Sequence, residues 1–293
     1  MSADPPAPAD TGAAPVRTAF LGTSWFAADV LRRLVAAGRA PSLVLTRPDR
    51  PAGRGRRLTA PPVADAAREL DLPLLQPDRI DDEVVARIAA DEPDALIVCA
   101  YGAIVREPLL SAYPILNVHP SLLPRWRGAA PVERAIMAGD RETGVSIMEL
   151  VEELDAGPVQ LQERIPIGPD DTYGDVAPRL VELGSTLLLR ALDEVAAGTL
   201  SATPQPDEGI TYAEKIVAAD RDLDPAAPAR TRHDHVRALA PHIGARLLQD
   251  DDTYLGVRRT RVAEDGTLEL LEVQPPGKGT MTYADYLRGK AGR

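Results

Sequence analysis

Apolar and polar positions follow two alternating periods over the first two thirds of the chain. Thr18-Ala19-Phe20-Leu21-Gly22-Thr23-Ser24 is an apolar run closing on Gly and Ser, which predicts a strand leading into a helix N-cap. Residues 25–37 carry helical spacing and stop at Gly38, and residues 42–46 form a second apolar run. The chain therefore opens as strand, helix, strand, the start of a parallel sheet. The pattern then predicts a loop at 47–57, a helix at 61–70, a short strand at 72–75 and a helix at 82–90. Ala95-Leu96-Ile97-Val98-Cys99-Ala100 shows no alternation, as expected of a strand buried on both faces. Another apolar run ends at Ile115-Leu116-Asn117-Val118-His119. Strands are expected at 144–150 and 158–167, and a long helix at 174–197.

Beyond residue 201 the composition changes. Residues 202–209 are Pro-rich, and 218–230 are rich in Ala, Asp and Pro. A helix at 231–240 and strand-like pieces at 246–249, 253–263 and 267–274 follow, with a turn at Glu264-Asp265-Gly266. The expected class is α/β: a Rossmann-like, parallel-sheet domain over 17–201, a linker over 202–230 and a small, mostly β C-terminal module over 231–293. Residues 1–16, dominated by Pro, Ala and Asp, are expected to be a disordered tail.

Composition narrows the class of protein. Hydrophobic residues make up 44% of the 293, enough for a true core, but aromatics are only 4%, so that core rests on Leu, Val, Ile and Ala. A single cysteine, Cys99, excludes an intrachain disulfide. The first residues lack the basic and apolar regions of a signal peptide, and no stretch reaches the length of a membrane span. A cytoplasmic monomer is the expectation. The net charge of −11 opposes a polyanionic partner at long range, so any such partner needs a local basic patch. Residues 47–57, RPDRPAGRGRR, supply one with five arginines and one aspartate.

Candidate chemistry concentrates at Asn117-Val118-His119-Pro120-Ser121-Leu122-Leu123-Pro124. In open α/β sheets, ligands bind beyond the carboxyl ends of strands. Asn117 and His119 stand two apart, so both project from one face of an extended segment. An amide that donates to a developing oxyanion and an imidazole that exchanges protons near neutrality suit acyl transfer. Taken by themselves, a satisfied structural histidine and a turn asparagine are the commoner outcome. A second element, Gly144 to Gly157, leads a strand into an acidic loop ending Asp155-Ala156-Gly157. A carboxylate there, if brought beside His119, would favour the imidazolium. No cluster has metal-site spacing, and Gly22 stands outside any Gly-x-Gly-x-x-Gly fingerprint.

Together these segments resemble the folate-dependent formyltransferase family. The likeness rests on Asn117-x-His119-Pro120-Ser121-Leu122-Leu123-Pro124 followed by Leu154-Asp155-x-Gly157. Phe20-Leu21-Gly22-Thr23, Ala100-Tyr101-Gly102, Arg125-Trp126-Arg127-Gly128-Ala129-Ala130-Pro131 and the arginine loop add to it. The matched order resembles most the branch whose acceptor is the amino group of an initiator methionyl-tRNA. The resemblance implies a catalytic trio of Asn117, His119 and Asp155, with 10-formyltetrahydrofolate as co-substrate and no metal. It places folate against Tyr101, Gly102 and Ile104 and the turn Ser121, Leu122, Leu123 and Pro124, and tRNA against Arg50, Arg54, Arg56 and Arg57. It also implies that the C-terminal module is a shortened OB fold, although only three strands are evident. Residues 207–293 are not basic, with 15 Asp/Glu against 13 Lys/Arg. An amino-sugar nucleotide or another small amine is the alternative acceptor.

Overall fold

The computed structural model describes residues 16–52 and 55–291. The expected tail at 1–16 lies almost wholly outside the described residues, as does Arg54. Strand β1 (Thr18–Gly22) leads through helix α1 (Trp25–Ala36), β2 (Leu43–Leu45) and the hairpin β3 (Arg50–Ala52) and β4 (Arg57–Thr59) to α2 (Pro62–Glu69). Then come β5 (Leu74–Leu75), α3 (Asp82–Ala89), β6 (Ala95–Cys99), α4 (Leu109–Ala112) and β7 (Ile115–His119). β8 (Arg127–Gly128), α5 (Pro131–Met137), β9 (Glu142–Met148), β10 (Val159–Pro166) and α6 (Tyr173–Ala197) complete this part.

Seven strands form the main sheet in the order β10-β9-β7-β6-β1-β2-β5. Five run parallel, and β9 and β10 add an antiparallel edge beside β7. β6 lies between β1 and β7, which is why its five residues are all buried and show no alternation. Helices α1, α2, α5 and α6 cover one face and α3 and α4 the other. Leucine and isoleucine dominate the largest fully buried side chains, each worth about 1.5–3 kcal/mol relative to exposure. Local signals set the helix ends. Ser24 accepts from Ala27 N–H at the start of α1, and Asp175 accepts from Thr172 N–H at the start of α6. Gly198, at φ +65°, ends α6.

Residues 202–230 are not free chain. Thr203 bridges Val159, and β11 (Tyr212–Ala213) pairs in parallel with β8. A single 3-10 turn (Ala219–Arg221) precedes α7 (Ala229–Ala238). The C-terminal module holds β12 (Ala245–Leu248), β13 (Tyr254–Val262), β14 (Leu268–Gln274) and β15 (Met281–Thr282), antiparallel in chain order, followed by α8 (Tyr283–Ala291). Three strands were expected and four are present. The fourth has two residues, too few for a periodic pattern to declare. Among the described residues the edge strands β12 and β15 do not pair, so this sheet stays open where an OB fold closes a five-stranded barrel. The arginine segment, expected as a loop, carries the β3–β4 hairpin, with Arg50 opposite Thr59. No described helix is long and apolar enough to cross a membrane.

Candidate active site

β7 ends at the carboxyl edge of the sheet with Asn117 and His119 on one face, 7% and 5% exposed. Val118 points the other way, into the core beneath α5 and α6. Beyond His119 the chain turns sharply, and the turn is heavily bonded. Ser121 Oγ donates to Arg125 O at 2.7 Å, and Ser146 Oγ donates to Ser121 O at 2.7 Å. Ser146 Oγ also accepts from Leu123 N–H at 3.2 Å, and Gln162 Nε2 donates to Leu123 O at 3.0 Å. Ser146 pairs with both His119 and Gln162 in the sheet, so strand register alone sets these side chains beneath the turn.

The backbone then reverses at Trp126, a non-glycine residue at φ +66°. Its carbonyl is 2.9 Å from His119 Nε2, which must donate to it. Nδ1 of the same ring lies 3.7 Å from Asp155 Oδ2. That is too long for a hydrogen bond but close for a charge pair. Asp155 follows β9 in the acidic loop and itself sits at φ +48°. Its Oδ2 accepts from Gly128 N–H at 2.7 Å. Both glycines nearby are required. A Cβ on Gly128 would stand 2.7 Å from Ala213 O, and one on Gly157 would stand 1.9 Å from Glu149 O. Imidazole and carboxylate thus meet across loops nearly forty residues apart in sequence. Among the described residues the Asn117 amide has no side-chain hydrogen bond, leaving its NH₂ available on the same face as the ring.

The other expected contacts divide by exposure. Gly102 is exposed and Ile104 is 69% exposed, while Leu122 and Pro124 are partly buried. Tyr101, Ser121 and Leu123 are buried, so their side chains are turned into the protein. The Tyr101 carbonyl accepts from Thr23 Oγ1 at 2.6 Å, tying the loop after β6 to the loop after β1. Its phenol, pushed up by burial, has no partner for the hydroxyl among the described residues. Arg50, Arg56 and Arg57 are exposed and, among the described residues, in no ion pair. The Cys99 thiol is fully buried, and burial pushes its pKa up, so it is no nucleophile. Among the described residues no group of three or more His, Cys, Asp or Glu could hold a metal ion.

Ser146, Gln162 and Thr211 were missed from the sequence. A serine inside an otherwise apolar strand is a usable signal for the first. The other two carry none, because only the folded chain brings them to the turn: Thr211 Oγ1 accepts from Trp126 N–H at 2.8 Å.

Among the described residues, the amide of Asn117, the imidazole of His119 and the carboxylate of Asp155 gather at the carboxyl edge of a doubly wound sheet, an arrangement whose chemistry suits acyl transfer. The family model described as formyl transferase matches residues 16–192, and the chain belongs to that family. Its curated relatives include the methionyl-tRNA formyltransferase of Halorhodospira halophila, 43% identical over 299 residues and covering 94% of this chain and 96% of that one. That of Clavibacter sepedonicus is 42% identical, covering 94% and 97%. Among solved structures, HypX from Aquifex aeolicus in complex with tetrahydrofolic acid superposes with TM-score 0.64 at 18% identity, covering 94% of this chain and 47% of that chain. The chain thus spans about half the length of HypX. A sugar N-formyltransferase from a Shewanella species gives TM-score 0.64 at 19% identity, covering 83% and 96%. These two likenesses show the fold alone.

Proposed function

We propose that this chain transfers the formyl group of 10-formyltetrahydrofolate to the free amino group of initiator methionyl-tRNA, as a soluble cytoplasmic monomer. The observation that carries the reading is the approach of Asp155 to His119 beside the free Asn117 amide, at the carboxyl end of β7. The near full-length relationship to methionyl-tRNA formyltransferases supports the acceptor.

The folate supplies an activated formyl carbon. Asn117 NH₂ and His119 Nδ1–H, the ring N–H not committed to the Trp126 carbonyl, would donate to the oxyanion that develops as the amine adds to that carbonyl. Asp155 Oδ2, 3.7 Å from His119 Nδ1, is placed to receive or return the proton of that nitrogen. Overall, one proton leaves the amine nitrogen and one is gained by N10 of the folate. Exposed Ile104 and the half-buried Leu122 and Pro124 would give the pterin its apolar contacts, with backbone groups of Gly102 and the turn for its polar edge. Arg50, Arg54, Arg56 and Arg57 would hold acceptor phosphates.

The decisive experiment offers purified protein 10-formyltetrahydrofolate with either initiator methionyl-tRNA or an amino-sugar nucleotide. Formylation of the tRNA is expected. Formylation of the sugar nucleotide alone would replace the acceptor and keep the chemistry.

A further inference from the structure

Asp155 adopts a left-handed backbone, uncommon for a non-glycine residue although aspartate enters it more readily than most. Its carboxylate is fixed by Gly128 N–H, but the peptide that carries it is fixed by a residue fifty positions away. Gln205, in the Pro-rich segment after α6, donates from Nε2 to Asp155 O and to Gly157 O, both at 2.8 Å. Its Oε1 accepts from Arg127 Nε at 3.1 Å and Arg127 Nη2 at 2.9 Å. The orientation of this amide is unambiguous: a guanidinium only donates, so the carbonyl end must face Arg127 and the NH₂ end the two carbonyls. Arg127 is 5% exposed and is held in turn by pairing of its strand with β11. Trp126, next in sequence, carries the carbonyl that anchors His119.

One side chain therefore bridges both halves of the site. On one side it grips the strand that follows the His119 anchor, and on the other the turn that aims Asp155. We infer that Gln205 is a positioning residue for the His119–Asp155 pair. It sets the separation across which the proton moves and touches no reacting atom. Every polar atom of its amide is used within the protein, so a role in gripping folate or acceptor is not needed to explain it. The inference rests on the catalytic reading given above for those two residues.

Two variants test it. Gln205→Leu keeps the size and removes all four bonds. Gln205→Glu keeps acceptors for Arg127 but sets a carboxylate oxygen against the Asp155 and Gly157 carbonyls. Both are expected to fold, to keep KM for 10-formyltetrahydrofolate within about twofold, and to lose about tenfold or more in kcat, as misplacement of catalytic groups does. The ¹⁵N signals of the His119 imidazole should shift in both, and this readout is independent of the acceptor amine. If wild-type protein formylates no methionyl-tRNA, the proposed acceptor fails while the imidazole signals still decide the role of Gln205. Unchanged imidazole signals with turnover within twofold of wild type would overturn the inference. So would a loss confined to KM, or collapse of the fold in both variants, which would make Gln205 a purely structural brace.

Discussion

His119 is anchored through Nε2 on a backbone carbonyl, so Nδ1 is the nitrogen left to face Asp155. Replacing the ring removes the proton carrier of the proposed mechanism and leaves the strand pairing of β7 intact. His119→Ala is expected to lower kcat about 10²–10⁴-fold with the circular dichroism spectrum unchanged. Near-normal turnover of the variant would remove His119 from the chemistry. Gly157 tests the loop in a different way. A methyl group there would collide with the Glu149 carbonyl, so Gly157→Ala must displace the turn that carries Asp155. We expect a loss of turnover above about tenfold and of roughly 1–3 kcal/mol in urea unfolding. Asn117 and His119 were legible as a pair because β-strand alternation puts positions two apart on one face. Nothing in the spacing brings Asp155 to them. That meeting was implied only by the resemblance, since it depends on β9 returning antiparallel beside β7.

At the scale of elements, the continuous apolar runs and capped helices of the main sheet were plain in the sequence. Its antiparallel edge was not, because strand direction leaves no mark on composition. The hairpin β3–β4 was hidden by Pro and Gly, which predict turns and not pairing. Its form bears on the acceptor contact proposed for these arginines. The hairpin presents Arg50 and Arg57 from paired strands instead of from a slack loop, with Leu58 between them 70% exposed. Arg54→Ala and Arg57→Ala should each raise KM for the tRNA while leaving KM for the folate unchanged. Each should also reduce the dependence of tRNA binding on salt by about one counterion. A parallel loss of folate affinity would remove the hairpin from acceptor recognition.

At the scale of the molecule, arginines of α7 hydrogen-bond across to backbone carbonyls after β10: Arg237, paired on its own helix with Asp234, donates to the Asp171 carbonyl, and Arg230 donates to the Pro169 carbonyl. His233 lies on the same helix, bonded through Nδ1 to Thr260 Oγ1 at 3.0 Å. Its Nε2 stands 3.2 Å from Asp170 without the alignment of a hydrogen bond. Burial, aided by Arg230 and Arg237 and opposed by Asp170 and Asp234, holds the imidazole below its ordinary pKa. The unfolded chain therefore binds this proton first as pH falls. Stability contributed here is complete above about pH 6.5, the free imidazole value, and declines below it. Urea midpoints between pH 7.5 and 5.5 should fall less steeply in His233→Gln than in the wild type. Equal slopes would show that His233 stays protonated or neutral alike in both states.

The strand pairing of β11 with β8 bears on where the C-terminal module could be exchanged. Thr211, Tyr212 and Ala213 belong by sequence to the connector, yet they are built into the rim beside Trp126 and Gly128. A chimaera that borrows the C-terminal module of a relative must be spliced downstream of Ala213. A seam placed at the compositional break near residue 201 would set a foreign strand against the host's own Trp126–Gly128 segment.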